Sequence, residues 1–130
     1  MILVDSSAWI EFLRATGSSA HRRLTELTRQ GARLGTTDVV LMEILAGARD
    51  SAHRDSLRRL LATCEFEPVQ GPVDYETAAE LYRACRGAGE TVRTLTDCLI
   101  ASVAIRTGYA LLHADADFEA IARHAPLQVV

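Results

Sequence analysis

Seventeen of the 130 residues are acidic, and most of them lie in mixed polar segments that need no explanation. Five stand out. Glu43 is the one polar side chain in VVLMEILAGA, residues 39–48. A stretch apolar all round reads as a buried helix. An unpaired ionised carboxylate inside one must be protonated, paired or bound to a metal. The nearest cation, Arg49, is six residues away, beyond one helical turn. Asp97 is the only charge between Arg93 and Arg106. Asp5 ends the apolar run Ile2-Leu3-Val4, while Asp115 and Asp117 follow the apolar residues 109–112. Apart from Glu43, each has an ordinary structural explanation as a helix cap or first-turn acid, and Thr94-x-x-Asp97 has the form of a capping box. Glu43, mid-helix, where neither caps nor the helix dipole apply, has the weakest such explanation.

The chemistry depends on whether these groups meet. Four carboxylates, Asp5, Glu43, Asp97 and Asp115, brought together in an apolar setting would repel one another. One or two hard divalent cations, Mg²⁺ or Mn²⁺, would relieve that repulsion through oxygen ligands. With no lysine in the chain and its three cysteines read as reduced structural thiols, the set suits metal-assisted hydrolysis of a phosphodiester.

The elements predicted to position them alternate. A strand ending at Val4 leads to a short helix over 8–15, with Ser6 or Ser7 as its N-cap. A helix over 19–30 follows and stops at Gly31. A strand over 33–36 then precedes the helix of Glu43, residues 39–48, capped by Thr37 or Asp38. A helix over 51–63, a short strand at 65–67 and a helix over 73–86 follow. The helix of Asp97 spans 95–107 and ends at Gly108. Next come a strand over 109–112, a helix running to about Ala125, and a last strand over 127–130. This alternation predicts a three-layer α/β fold with a mainly parallel sheet of five strands. If strand order reverses beside the first strand, Asp5 and Asp115 flank the switch point, where open α/β sheets bind ligands.

Composition narrows the function classes. A chain of 130 residues reads as one domain, residues 1–130. It has no apolar run long enough to span a membrane and no basic leader. Cys64, Cys85 and Cys98 are scattered, which suits reduced thiols in a cytoplasmic protein. The net charge of −3 argues against a sequence-blind polyanion binder. All 14 strong cations are arginine, so chemistries that need a lysine are excluded. That includes the receiver-domain phosphotransfer site, whose acidic pair after the first strand is also missing.

The same acids carry a family resemblance. MILVDSSAWIEFL, TTDVVLMEILAGAR, TLTDCLIASVAIRTG and LLHADADF, in this order and spacing, resemble the PIN-domain ribonucleases, and among them the VapC toxins of bacterial toxin–antitoxin pairs. The resemblance implies a strand order of 3-2-1-4-5. It places Asp5, Glu43, Asp97 and Asp115 at the four acidic positions, Asp117 at a second, more variable acid, and Ser7 at a hydroxyl that supports Asp5 or contacts phosphate. It further implies Mg²⁺ or Mn²⁺ as cofactor, an RNA substrate cut to a 5′-phosphate and a 3′-hydroxyl, a homodimer, and a VapB-type antitoxin.

Around this set, His113 reads as a strand-end histidine making an ordinary hydrogen bond. Trp9, Phe12 and Phe118 read as core. Arg14, Arg86, Arg93 and Arg106 are candidates for phosphate contact. The apolar face of the first two helices, around Trp9, Phe12, Leu13, Leu24 and Leu27, is the expected antitoxin surface. Two rivals remain: an RNA-processing nuclease with no antitoxin, and a non-enzymatic module whose acids serve only as caps.

Overall fold

The computed structural model describes residues 1–130. In chain order the elements are β1 (Ile2–Val4), α1 (Ser6–Leu13), α2 (Ser19–Arg29), β2 (Leu34–Thr36), α3 (Asp38–Ala46), α4 (Ser51–Leu61), β3 (Glu65–Phe66), α5 (Val73–Gly87), α6 (Leu95–Thr107), β4 (Ala110–Leu112) and α7 (Ala116–His124). The sheet runs β3-β2-β1-β4, and every pair in it is parallel. The expected order therefore holds for four strands. The fifth, expected over 127–130, is reduced to a single parallel bridge between Leu111 and Val129. Two backbone bonds hold it, Leu111 N–H to Gln128 O and Val130 N–H to Leu111 O. Pro126 has no N–H to extend the ladder at its start.

The core explains which helices are buried. α6 is apolar on every side, and eight consecutive residues from Asp97 to Ala104 are buried. It packs against α3, α5 and α7. α3 is just as apolar, yet only Val39, Val40 and Ile44 are buried, and Met42 is 59% exposed. The expectation that apolarity all round means burial all round thus holds for α6 and fails for α3. The reason is positional: α3 lies at the edge of the molecule, packed on α1, α4 and α6, and its outer side has no neighbour.

The first two helices differ from expectation in two ways. The N-cap of α1 is Asp5 itself, in extended backbone, and its carboxylate accepts the Ser7 N–H. The helix therefore starts at Ser6, two residues early, because Asp5 is as good a cap as either serine. Trp9, Leu24 and Leu27 are buried, since α1 and α2 pack on one another. Part of the surface expected to await a partner is thus covered by the chain itself, while Leu13 stays 45% exposed. Trp9 and Phe12 meet edge to face at 5.9 Å between ring centroids, and Phe118 is fully buried, in line with the core reading of all three aromatics. No helix is long and apolar enough to cross a membrane.

Candidate active site

Parallel strands place all their carboxyl ends on one side of the sheet, and the candidate acids gather there. Asp5 follows β1 directly, and its N–H donates to Leu112 O at 2.9 Å, which sets it beside the end of β4. Asp115 and Asp117 come from the N-terminus of α7, Asp97 from the first turn of α6 and Glu43 from the middle of α3. All five line one open cleft of about 450 Å³, in which Ile10 is the single hydrophobic residue. Asp97, Asp115 and Asp117 come closest: each offers a carboxylate oxygen within 4.8 Å of the others.

The caps and the cleft use different atoms of the same side chains. Asp5 Oδ2 accepts both the Ser7 N–H, at 2.9 Å, and the Ser7 hydroxyl. Asp5 Oδ1 is buried with no hydrogen-bond partner. Asp115 Oδ1 accepts the Asp117 N–H at 2.9 Å and so caps α7. Thr94 Oγ1 accepts the Asp97 N–H at 3.4 Å, leaving the Asp97 carboxylate outside the cap. Capping therefore accounts for part of Asp5 and Asp115, but not for the buried Oδ1 of Asp5 or for Glu43.

Two adjacent serines brace opposite walls. Ser7 Oγ donates to Asp5 and accepts the Ala114 N–H at 2.9 Å, tying β1 to the loop before α7. Ser6 Oγ donates to Glu43 Oε1 at 3.1 Å, tying α1 to α3. Sequence reasoning treated Ser6 only as a cap. The available signal was that adjacent helical residues point about 100° apart, so a serine pair behind one acid can reach two partners.

The electrostatics show crowding. Burial pushes the Asp5 carboxyl up, the two Ser7 bonds pull it back, and Asp115 adds repulsion. Burial likewise raises Glu43, against the Ser6 bond and with the charges of Asp5 and Asp115. Asp97 is pushed up to about 7, first by burial, then by its contact with Asp117 and the charges of Asp5 and Asp115. A buried acceptor without a donor and three destabilised carboxylates describe a site with an excess of negative oxygen.

One cation answers part of that excess. Arg93 donates its backbone N–H to Asp117 Oδ2 at 3.0 Å, its Nε–H to Asp117 Oδ1 at 3.3 Å and an outer N–H to Asp115 Oδ1 at 2.7 Å.

A family model described as PIN domain matches residues 2–124. The chain belongs to the PIN-domain family. Within it, this PIN protein stands with the VapC ribonucleases. It is 48% identical, over 98% of its length and 96% of theirs, to a VapC ribonuclease of Mycobacterium bovis and to ribonuclease VapC11 of Mycobacterium tuberculosis. Its fold matches VapBC2 of Rickettsia felis bound to a promoter DNA fragment, with a TM-score of 0.76 at 18% identity over 100% of this chain and 98% of that one. It also matches VapC20 of Mycobacterium tuberculosis, described as a sarcin–ricin loop cleaving toxin, with a TM-score of 0.71 at 20% identity over 98% and 99%.

The other arginine candidates of this PIN protein lie elsewhere. Arg106 is spent on structure: its guanidinium binds Asp74, Glu67 and the Pro68 carbonyl. Arg86 stacks over Tyr82 at 5.6 Å. Arg14 lines a neighbouring groove between α1, α3 and α4 rather than the acidic cleft. His113 Nδ1 accepts the Asp115 N–H at 3.1 Å and its Nε2 faces Glu119 at 3.2 Å, the ordinary bonding expected of it. The three cysteines are unpaired, and burial raises all three thiols, Cys98 to about 12. That leaves them protonated and unreactive.

Proposed function

We propose that this protein is a divalent-metal-dependent endoribonuclease and the toxin of a VapBC-type pair. The observation that carries this reading is the convergence of Asp5, Glu43, Asp97, Asp115 and Asp117 on one cleft around a buried Asp5 oxygen that no donor satisfies. The carboxylates are hard oxygen donors, which fits Mg²⁺ or Mn²⁺ and not a thiolate-seeking metal. Asp97, Asp115 and Asp5 through Oδ1 would hold the ion, with Glu43 completing the site directly or through water and Asp117 supporting it. A bound ion would supply Lewis acidity at the scissile phosphate and a water of lowered pKa.

The chain's own residues set the rest. Ser7 fixes the Asp5 carboxylate through Oδ2, which leaves Oδ1 as its unsatisfied oxygen. Ser6 engages Glu43 through Oε1, so Oε2 is the candidate acceptor for the proton of the attacking water. Asp117 has both oxygens engaged by Arg93, which suits it less to that task. RNA is the substrate class that the named VapC relatives support.

A VapB-type partner is supported by the VapBC complexes among the structural neighbours. The groove between α1, α3 and α4, about 540 Å³, is lined by Ile10, Leu13, Ile44 and Leu57 and shares Ile10 and Glu43 with the acidic cleft. A segment seated there would abut the site and hinder RNA. The deciding experiment incubates wild type and Asp97→Asn with total cellular RNA, in Mg²⁺ or Mn²⁺ and in EDTA. Discrete cleavage that needs metal and disappears in the variant supports the reading. A folded wild type that cuts nothing under either metal refutes it.

A further inference from the structure

Arg93 is the one arginine of the fourteen that lines the acidic cleft. Its two ends are held differently. Asp117, 5% exposed, grips the root of the residue through the backbone N–H and Nε–H. The outer edge of the guanidinium reaches Asp115 through one N–H, and the side chain is 67% exposed. The root is thus fixed by a buried acid, while the head makes an exposed ion pair of the kind that is cheap to exchange. Asp115 is also one of the three acids that present oxygens to a common point, so a cation there and the Arg93 head compete for the same carboxylate.

We propose that Arg93 is the substrate-binding arginine of this site: Asp117 holds it in place, and its outer N–H groups pass from Asp115 to a phosphate of the bound RNA once Asp115 takes a cation. The proposal rests on the nuclease reading above. Guanidinium suits the exchange, because its planar fork can leave one carboxylate oxygen and meet two phosphate oxygens, whereas a lysine would offer only a point charge. In the free protein the same residue offsets part of the negative excess in the cleft and so weakens cation binding.

The test has two arms, run on wild type, Arg93→Ala and Arg93→Lys, all checked for folding by circular dichroism. Mn²⁺ is first titrated calorimetrically without RNA. Arg93→Ala is expected to bind it about two- to fivefold more tightly, since an exposed competing ion pair has gone. Initial rates of discrete product formation are then measured at rising concentrations of total cellular RNA. KM is expected to rise roughly tenfold in Arg93→Ala with a smaller change in kcat, and Arg93→Lys should fall between. Weaker Mn²⁺ binding in Arg93→Ala, or a fall in kcat at unchanged KM, overturns the proposal and leaves Arg93 as a brace for Asp115 and Asp117. A wild type that neither binds Mn²⁺ nor cuts RNA overturns the nuclease reading itself, and Arg93 falls with it.

Discussion

At Asp97 the fold holds a carboxylate that is 7% exposed, where water can solvate it only in small part. Its pKa of about 7 lies far above the ordinary value near 4, so the native state keeps a proton that the unfolded chain would release. The stabilising contribution is therefore complete below about pH 4 and is lost as pH rises through 7. Asp97→Asn removes this liability. In EDTA its melting temperature should exceed that of the wild type at pH 8, with a clearly smaller gain at pH 5; equal gains at both pH values would refute the assignment. The same substitution should reduce RNA cleavage by at least two orders of magnitude, the scale seen when a group that stabilises the transition state is lost. Ser7→Ala tests the neighbouring brace. It removes the hydroxyl that joins Asp5 to Ala114, and should cost about 1–2 kcal/mol in urea unfolding while weakening Mn²⁺ binding. An unchanged Mn²⁺ affinity would show that Ser7 does not position Asp5. At this scale residue type was legible, because a lone acid in an apolar stretch has few explanations. The division of labour between oxygens was not: no pattern distinguishes the Asp5 oxygen that caps from the one left unsatisfied.

Between elements, the strongest single tie is Arg106 on α6 to Asp74 at the start of α5. Asp74 is 1% exposed, accepts three N–H contacts from the guanidinium at 2.9–3.2 Å and also accepts the Gln70 N–H at 2.8 Å. Arg106→Ala would leave that buried carboxylate without its cation, at a cost of about 3 kcal/mol. Chemical denaturation should show this loss, while KM for RNA, measured where the variant stays folded, should not move. A raised KM would return Arg106 to the phosphate-binding candidates. The sequence signalled α6 well, since Thr94 caps it, Gly108 ends it in the left-handed region at φ +74°, and nothing polar interrupts it after Asp97 until Ser102. It signalled the start of α1 poorly, because Asp5, Ser6 and Ser7 are all competent caps and only the backbone of Asp5 decides among them. The last strand failed for another reason. Leu127-Gln128-Val129-Val130 has strand-forming residues, but pairing depends on a neighbour's register, and only Leu111 meets it. The amphipathic stripe of α1 and α2 is apolar as expected but only partly free, Leu13 being exposed and Trp9, Leu24 and Leu27 buried, since a stripe looks the same whether its own chain or another covers it.

Over the whole molecule, proton and metal binding are linked through the same oxygens. Burial and mutual repulsion raise Asp5, Glu43 and Asp97 together, so the metal-free fold loses stability as pH climbs above the ordinary carboxylate range. The exposed pairs act the other way: Arg33 lowers Glu65, and Arg123 with His124 lowers Glu90. Those two pairs lie outside the acidic cleft and contribute equally with or without a cation, so they cancel when the two conditions are compared at one pH. What remains is the cleft. A divalent cation requires its carboxylates ionised, so protons compete with it most strongly below pH 7, where Asp97 holds its own. Mn²⁺ at a hundredfold excess over its Kd should therefore add about 2.7 kcal/mol to stability, on the order of 10 °C in melting temperature for a domain of this size. It should do so at pH 8 and lose most of that effect at pH 5 at the same Mn²⁺ concentration. In Asp97→Asn the pH 8 increment should shrink as well, since a ligand has gone. Thermal melts of both proteins, with Mn²⁺ and with EDTA at the two pH values, decide the matter. An increment that ignores pH, or that survives the substitution intact, would place the cation somewhere other than the carboxylates of this cleft.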